Sequence, residues 1–303
     1  APAAVALVLQ LASRSDVLIE GFRPGVTERL GLGPDACLAR NPRLVYGRIT
    51  GWGQTGPLAQ DVGHDLNYIA LTGALNAIGR AGQLPAPPLN LVGDFGGGTL
   101  YLVMGILAAL HERQSSGQGQ VIDAAMVDGV ASLMTQPQGS LAAGVITAER
   151  GTNVTDSGAP FYDVYPCADG LLASLAAVEE KFYAQALRVL DLPDLLATQW
   201  QRASWPTDKE RIAARFCTRT RAQWCQAFAG VEACFAPVLA LDEAPAHPHL
   251  QARGTYAEID GVVQPMPAPR FSRTPPATPA PFRPWQAQDA AEILGPWLDE
   301  PAV

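Results

Sequence analysis

The sequence lacks several features that would assign it to common classes of protein. No charged segment followed by an apolar core opens the chain, so no leader peptide is expected. No apolar run reaches the ~18 residues of a membrane span, and the longest, Thr99 to Leu110, is typical of a buried helix. No basic run appears, and the formal net charge is -8. Binding to nucleic acid or to an anionic membrane is therefore not expected.

Lysine, cysteine and histidine are scarce. The only lysines are Lys181 and Lys209, so local arginines must hold any polyanionic ligand. The five cysteines are scattered, odd in number and without a C-x-x-C pair, which favours reduced thiols and a cytoplasmic location over a disulfide framework. His247-Pro248-His249 is typical of a loop rather than of a metal site. No metal is therefore expected.

Apolar helical and strand-like runs alternate through the first half of this 303-residue chain. A helix over Pro2–Ser13 leads into a short strand, Asp16–Glu20, and a helix over about Val26–Asn41 leads into a second strand, Leu44–Ile49. The other elements predicted for this half are a helix at about 65–78, a helix at about 95–114 and a strand at 121–126. The alternation predicts an α/β domain with a parallel sheet.

A second region is predicted after residues 144–158, which are rich in Gly, Thr and Ser and are typical of a linker. Phe161–Pro166 and Leu171–Ala176 predict a β-hairpin, which helices and a further strand follow. The proline-dense stretch Pro265–Pro284 predicts an extended strap that returns to the first domain. The predicted domains are a large α/β domain over 1–150 joined by 266–303, and a smaller α+β domain over 151–265.

Two short motifs carry residues suited to acid–base chemistry. In Gly63–Tyr68, His64 stands directly before a predicted helix, and an imidazole of pKa about 6.5 is matched to proton transfer near neutrality. In Val92–Gly98, Asp94 precedes Gly96–Gly98, glycines that would weaken a helix by roughly 0.5–1 kcal/mol each unless backbone or substrate approaches closely. By position alone, Asp94 could be a helix N-cap and His64 a surface residue. Together they could invert a carbon centre by moving a proton between its faces.

These motifs resemble those of the α-methylacyl-CoA racemases, within the family III CoA-transferase superfamily. The segments Ser15–Val26, Gly31–Pro34 and Gly53–Pro57 also appear in the order that the family has. The resemblance covers nearly the whole chain and is most specific from Asp16 to Asp128. Family members carry further residues before the position that matches the first residue of this sequence. The Rossmann-like large domain is therefore expected to be incomplete at its N-terminus.

The resemblance implies racemisation or epimerisation of 2-methylacyl-CoA thioesters by 1,1-proton transfer at Cα through an enolate. His64 and Asp94 would stand on opposite faces of Cα, while the backbone N–H of Asp65 and the positive end of its helix hold the enolate oxygen. Glu179 resembles the family's glutamate that partners the histidine from the second domain. Glu180 competes for this register, and helix N-termini favour carboxylates in any case. No cofactor is implied, because coenzyme A is part of the substrate.

The resemblance also assigns residues to coenzyme A binding: Gly21, Phe22, Arg23, Arg29, Gly63, Asn67 and Tyr68. The arginines would supply fixed cations for the phosphates in an acidic chain. Gly51–Gly56 matches G-x-G-x-x-G, but Pro57 stands where a dinucleotide site needs a helix N-terminus. The resemblance makes this segment an active-site loop instead. It further implies the family III CoA-transferase fold, an acyl-CoA substrate and an interlocked homodimer.

Two other functions remain open. In family III CoA-transferases the aspartate equivalent to Asp65 is the nucleophile that carries the acyl group. Relatives of that type usually have a non-histidine residue before the aspartate and lack the Asp-Phe-Gly-Gly-Gly run found here. The other is a noncatalytic, truncated CoA-binding protein, which the missing N-terminal segment favours and the presence of His64 and Asp94 disfavours.

Overall fold

The computed structural model describes residues 2–284, 286, 289, 292 and 294–297. Its contacts divide the chain into two compact units, Ala1–Asp156 with Gln288–Val303, and Ser157–Ala287. Of the described residues, 266–284 and 286 therefore group with the second unit, although the sequence assigned them to the first. The reason lies in local hydrogen bonds, since the N–H of Met266 donates to the carbonyl of Thr255 at 2.8 Å and the guanidinium of Arg270 donates to the carbonyl of Arg253.

A three-stranded parallel sheet lies in the first unit, in the order β1 (Val17–Glu20), β2 (Val45–Thr50) and β3 (Val121–Ala125). Val17 pairs with Val45, and Tyr46 pairs with Val121. The middle strand β2 is buried over its first four residues, as expected of a parallel sheet with helices on both faces. The predicted α/β class with a parallel sheet is confirmed.

Helices connect and cover these strands. In chain order they are α1 (Pro2–Arg14), α2 (Val26–Arg29), α3 (Pro34–Arg40), α4 (Asp65–Leu71), α5 (Ala74–Ala77), a π-helix (Leu91–Thr99), α6 (Leu100–Ser116), α7 (Met126–Leu133), α8 (Thr135–Ala142) and a 3₁₀ turn (Gly295–Trp297). Two helices predicted as continuous are broken. Gly31 and Gly73 have φ of +77° and +84°, and this left-handed conformation, which glycine adopts readily, interrupts a helix.

The two faces of the sheet pack against different helices. Val45 packs with Leu102 and Ile106 of α6 in one buried cluster. The next residue, Tyr46, packs with Cys37 of α3 in a second cluster, which also includes a residue of α1. Successive side chains of a strand point to opposite faces, so the sheet is covered on both sides.

Helix α6 is buried on one face only. Leu102 and Ile106 are buried, whereas Leu100, Met104 and Leu107 are 64%, 58% and 61% exposed. The prediction of a buried helix over Thr99–Leu110 is therefore wrong for the second face, because a helical period of 3.6 residues turns these side chains away from the sheet. Within the described residues, Leu91–Ser116 is the one helical run long and apolar enough to cross a membrane. A single such run is weak support for a span, because core helices of soluble proteins pass the same test.

The second unit contains an antiparallel sheet of β4 (Tyr162–Pro166), β5 (Leu172–Ala176) and β6 (Phe235–Val238). Tyr162 pairs with Ala176, so the predicted β4–β5 hairpin is confirmed. Its helical elements are α9 (Glu180–Leu190), a 3₁₀ turn (Pro193–Thr198), α10 (Trp205–Phe216), α11 (Arg221–Ala227), a 3₁₀ turn (Ala244–Ala246) and α12 (Pro248–Ala252).

A further hairpin, β7 (Tyr256–Ile259) with β8 (Val262–Pro265), was not predicted from the sequence. Asp260 and Gly261 form its turn with positive φ angles of 53° and 77°. Asp-Gly is the signature of this kind of turn and could have revealed the hairpin. The loop predicted at His247-Pro248-His249 is wrong, because His247 is the N-cap of α12 and Pro248 and His249 begin that helix. No group of three or more metal-ligating side chains occurs in the part of the chain that the structure describes.

Candidate active site

A cavity of about 580 Å³ opens in the first unit at the carboxyl ends of β1 and β2. In α/β proteins this edge of the sheet is where ligands bind. Among the residues assigned to coenzyme A, those that line the cavity are Gly21, Phe22, Arg23, Gly63, Asn67 and Tyr68. His64 lines it too. Arg29 does not; it is the exposed last residue of α2.

A buried ion pair anchors the turn that carries Arg23. Glu20 ends β1, and its Oε2 accepts the N–H of Phe22 at 2.7 Å while its Oε1 accepts from Nε of Arg48 at 2.6 Å. Arg48 also donates from Nη1 to Glu28 of α2 at 2.7 Å, and this bond lowers the pKa of Glu28. One guanidinium therefore joins β1, β2 and α2 behind the turn.

Neither Glu20 nor Arg48 was singled out from the sequence. Their side chains are only 4% and 7% exposed, and the two residues pair directly across β1 and β2. A charged residue within an otherwise apolar strand is rarely fully buried unless it is paired. The arginine inside Val45–Thr50 was therefore a usable signal.

Tyr68 closes one side of the cavity through close contacts with glycines. Its hydroxyl donates to the carbonyl of Gly63 at 2.5 Å, and its ring meets Trp52 edge to face at 4.8 Å. A Cβ on Gly51 would lie 1.9 Å from Cζ of Tyr68. Burial, and after it the charge of Asp94, raise the pKa of Tyr68. The phenol therefore stays protonated and acts as a donor.

Gly51→Ala is expected to destabilise the protein by about 1–3 kcal/mol, because the added methyl group forces the ring of Tyr68 away from its site. The measurement is the free energy of unfolding in urea. Gly139→Ala is the matched control, since nothing lies within 4 Å of its added Cβ and α8 gains a better helix former. Equal unfolding midpoints for Gly51→Ala and the parent would contradict the close contact with Tyr68.

His64 is the N-cap residue of α4 and is exposed at the cavity. The backbone N–H of His64 donates to Oδ1 of Asn67 at 3.0 Å. Asn67 therefore fixes the chain where the histidine leaves the loop and enters the helix. The N–H of Asp65, at the first helical position, has no carbonyl acceptor within its own helix. The imidazole and this N–H thus stand at the same helix end.

Asp65 connects this helix end to the segment of Asp94. The side chain of Asp65 is buried, and its Oδ2 accepts the N–H of Gly93 at 2.7 Å and the N–H of Asp94 at 2.8 Å. Asp94 is half-buried, and its Oδ2 accepts from the amide of Asn90 at 3.3 Å. The residues predicted as base and acid are therefore brought to adjoining backbone segments.

Asp94 lies inside the π-helix and is not its N-cap, which is Asn90. The helix begins at Leu91, earlier than the predicted start near Phe95. The glycines that follow allow a close crossing with α7, since a Cβ on Gly129 would lie 1.8 Å from the carbonyl oxygen of Gly97. Of the two reasons considered for these glycines, the structure supports close approach of backbone.

Glu179 is the exposed N-cap residue of α9 in the second unit, and Glu180 is the first residue of that helix. Burial, and after it the charge of Glu179, raise the pKa of the Cys234 thiol. The assignment of Glu179 as the partner of His64 stays a prediction.

Comparison with known proteins identifies the family. Residues 1–289 match CoA-transferase family III. α-Methylacyl-CoA racemase of Mus musculus is 44% identical over 297 residues, 96% of this chain and 77% of that protein, and the Homo sapiens racemase is 42% identical over 97% and 77%. A CAIB/BAIF family protein from Brucella suis has a similar fold, with a TM-score of 0.83 and 23% identity over 98% of this chain and 79% of that one. The chain belongs to CoA-transferase family III.

Proposed function

We propose that this chain racemises 2-methylacyl-CoA thioesters by moving the proton at Cα from one face to the other. Two relatives that match along 77% of their own length carry the name α-methylacyl-CoA racemase. The observation that carries the proposal is the bond from the N–H of Asp94 to Oδ2 of Asp65, the residue next to His64. One side chain thereby joins the segment of the proposed base to the segment of the proposed acid.

The cavity supports coenzyme A as the constant part of the substrate. Arg23 lies on its wall, on a turn held by the buried Glu20. A guanidinium is a strong partner for phosphate in a chain of net charge -8. The cavity also reaches His64, so a thioester extended from Arg23 would arrive at the start of α4.

The proposed reaction uses the backbone N–H of Asp65 together with the side chains of His64 and Asp94. The thioester oxygen accepts the N–H at the start of α4, where the positive helix end stabilises the enolate. Either His64 or Asp94 removes the Cα proton, and the electron pair moves onto the thioester oxygen. The other residue returns a proton to the opposite face. Coenzyme A is part of the substrate, and the reaction exchanges no electrons with a redox group.

We also propose an assembly for this chain, on its membership of CoA-transferase family III. Glu179 would orient His64 and favour its protonated form, as carboxylates do for other catalytic histidines. Two chains would form an interlocked homodimer. We propose a cytoplasmic location as well, because the cysteines are scattered and unpaired.

The direct test follows Cα of 2-methyldecanoyl-CoA in D₂O. Each pure enantiomer is expected to gain deuterium at Cα while its optical activity decays, because the proton passes through exchangeable side chains. Proton NMR measures the exchange, and chiral chromatography of the released acid measures the inversion. Absence of both with either enantiomer would refute racemase activity, and inversion without deuterium would refute proton transfer through the two side chains.

A CoA-transferase reaction on Asp65 is the outcome that would replace this proposal. Formation of an acyl anhydride needs a carboxylate oxygen that the thioester carbon can reach, whereas Asp65 is 6% exposed, its Oδ2 accepts two backbone N–H groups and its Oδ1 is buried. Incubation with acyl-CoA and hydroxylamine is therefore expected to trap no anhydride. Trapping on Asp65, together with transfer of coenzyme A to a free acid, would establish the transferase.

A further inference from the structure

The carboxylate of Asp65 occupies an unusual place between two helices. Asp65 is the first residue of α4 and directly follows His64. Its side chain nevertheless contacts the π-helix that contains Asp94. Both hydrogen bonds are short, at 2.7 Å and 2.8 Å, and both go to one oxygen. The other oxygen, Oδ1, is buried and has no hydrogen-bond partner within the described residues. The hydrogen bonds from these two N–H groups thus offset the free-energy cost of removing this carboxylate from water.

The contact is built into the packing of the first unit. A Cβ on Gly93 would lie 2.4 Å from Oδ2 of Asp65, so glycine is what allows the carboxylate to reach the backbone. The π-helix has no cap from its own sequence, because the side chain of Asn90 makes no capping hydrogen bond. The first N–H groups of any helix lack partners within the helix, and an anion is favoured there. Asp65 supplies that anion from another element.

We propose that Asp65 is a positioning residue for Asp94, and that its carboxylate sets the place of the acid relative to the oxygen-binding end of α4. This inference rests on the proposed racemase function. The backbone N–H of Asp65 belongs to the site of the enolate oxygen, while its side chain holds the backbone of Asp94. A single residue therefore fixes the distance between the enolate site and one of the two proton-transfer groups.

This role makes a prediction that differs from a general loss of stability. A two-base racemase removes the Cα proton of one enantiomer with one base and that of the other enantiomer with the second. Displacement of Asp94 slows removal from its own enantiomer and leaves removal by His64 largely intact. Loss of the enolate site or partial unfolding slows both. The ratio of the initial exchange rates of the two enantiomers therefore reports whether Asp94 is displaced, and a general loss of stability does not change it.

The experiment measures initial deuterium exchange at Cα for each enantiomer of 2-methyldecanoyl-CoA with the parent protein, Asp94→Asn, Asp65→Asn and Asp65→Ala. Asp94→Asn identifies the enantiomer that depends on Asp94. Asp65→Ala is expected to slow exchange of that enantiomer by ~10²-fold, as misplacement by about 1 Å does, and to change the other far less. Asp65→Asn keeps an acceptor oxygen. Its ratio of the two exchange rates is therefore expected to lie between that of Asp65→Ala and that of the parent protein.

Asp208→Ala provides the matched control. Asp208 is a buried carboxylate of the second unit that accepts from the hydroxyls of Thr198 and Ser204, so its loss is expected to lower stability and leave the exchange ratio unchanged. Equal slowing of both enantiomers in Asp65→Ala, or a changed ratio in Asp208→Ala, would overturn the inference. Absence of exchange in the parent protein would instead refute the racemase function itself, so the two failures are distinguishable.

Discussion

Replacement of His64 by alanine, or of Asp94 by asparagine, is expected to slow racemisation by ~10²–10⁴-fold, the usual contribution of a general acid or base. Each residue is assigned one face of Cα, so its loss leaves that face without a proton donor and acceptor. Asp94→Asn preserves the shape of a side chain that already accepts from the amide of Asn90. The measurement is the decay of optical activity from each pure enantiomer.

The two variants should differ from each other in what survives. Each is expected to retain Cα exchange of the enantiomer whose proton faces the remaining base, without inversion. His111→Ala and Asp35→Asn are suitable controls, because both side chains are exposed on other helices, α6 and α3, and should leave racemisation unchanged. Racemisation at the parent rate in either active-site variant would remove that residue from the mechanism.

Replacement of Arg48 by methionine is expected to lower the free energy of unfolding by about 3–5 kcal/mol, the usual result of removing one partner of a buried ion pair. The carboxylate of Glu20, which is 4% exposed in the parent protein, would lose its guanidinium partner. The turn after β1 would also lose its anchor, because Glu20 holds the N–H of Phe22. Urea unfolding measures the first effect. A higher KM for acyl-CoA at little changed kcat measures the second.

A double variant and a surface control test whether Glu20 and Arg48 act as a coupled pair. Glu20→Gln combined with Arg48→Met removes the uncompensated charge, so it is expected to be less destabilising than the sum of the single changes. Arg211→Met is the control, because Arg211 pairs with Asp194 at the surface, where both side chains are largely exposed and an ion pair contributes little. Additive effects at Glu20 and Arg48 would contradict their coupling.

The elements that the sequence predicted well are those decided by local pattern. The apolar run near Val17, the run near Val45 and the hairpin at Tyr162 follow from the period of side chains along a strand. Breaks inside helices were missed, because Gly31 and Gly73 fall within otherwise helical stretches and their positive φ angles depend on packing. Local pattern gave the correct class of element but not where each helix ends.

The candidate site divides in the same way. His64 and Asp94 could be chosen from their motifs, because their chemistry is evident in the residue type. The contact that joins their segments could not, since Asp65 and Gly93 are distant in sequence and meet only when α4 packs beside the π-helix. The buried face of α6 is visible in its spacing, but the exposure of Leu107 depends on which partners the folded unit provides.

The crossing of Gly97 and Gly129 also limits which substitutions the segment beside Asp94 can accept. Because the two backbones touch there, no side chain stands at the crossing that selection could shorten or enlarge. Phe95 and Leu100, which flank the glycines, are 50% and 64% exposed and are free of that restriction. Side-chain variation in this segment, in nature or in a mutant library, is therefore expected at the positions on either side of the crossing and not at the crossing itself.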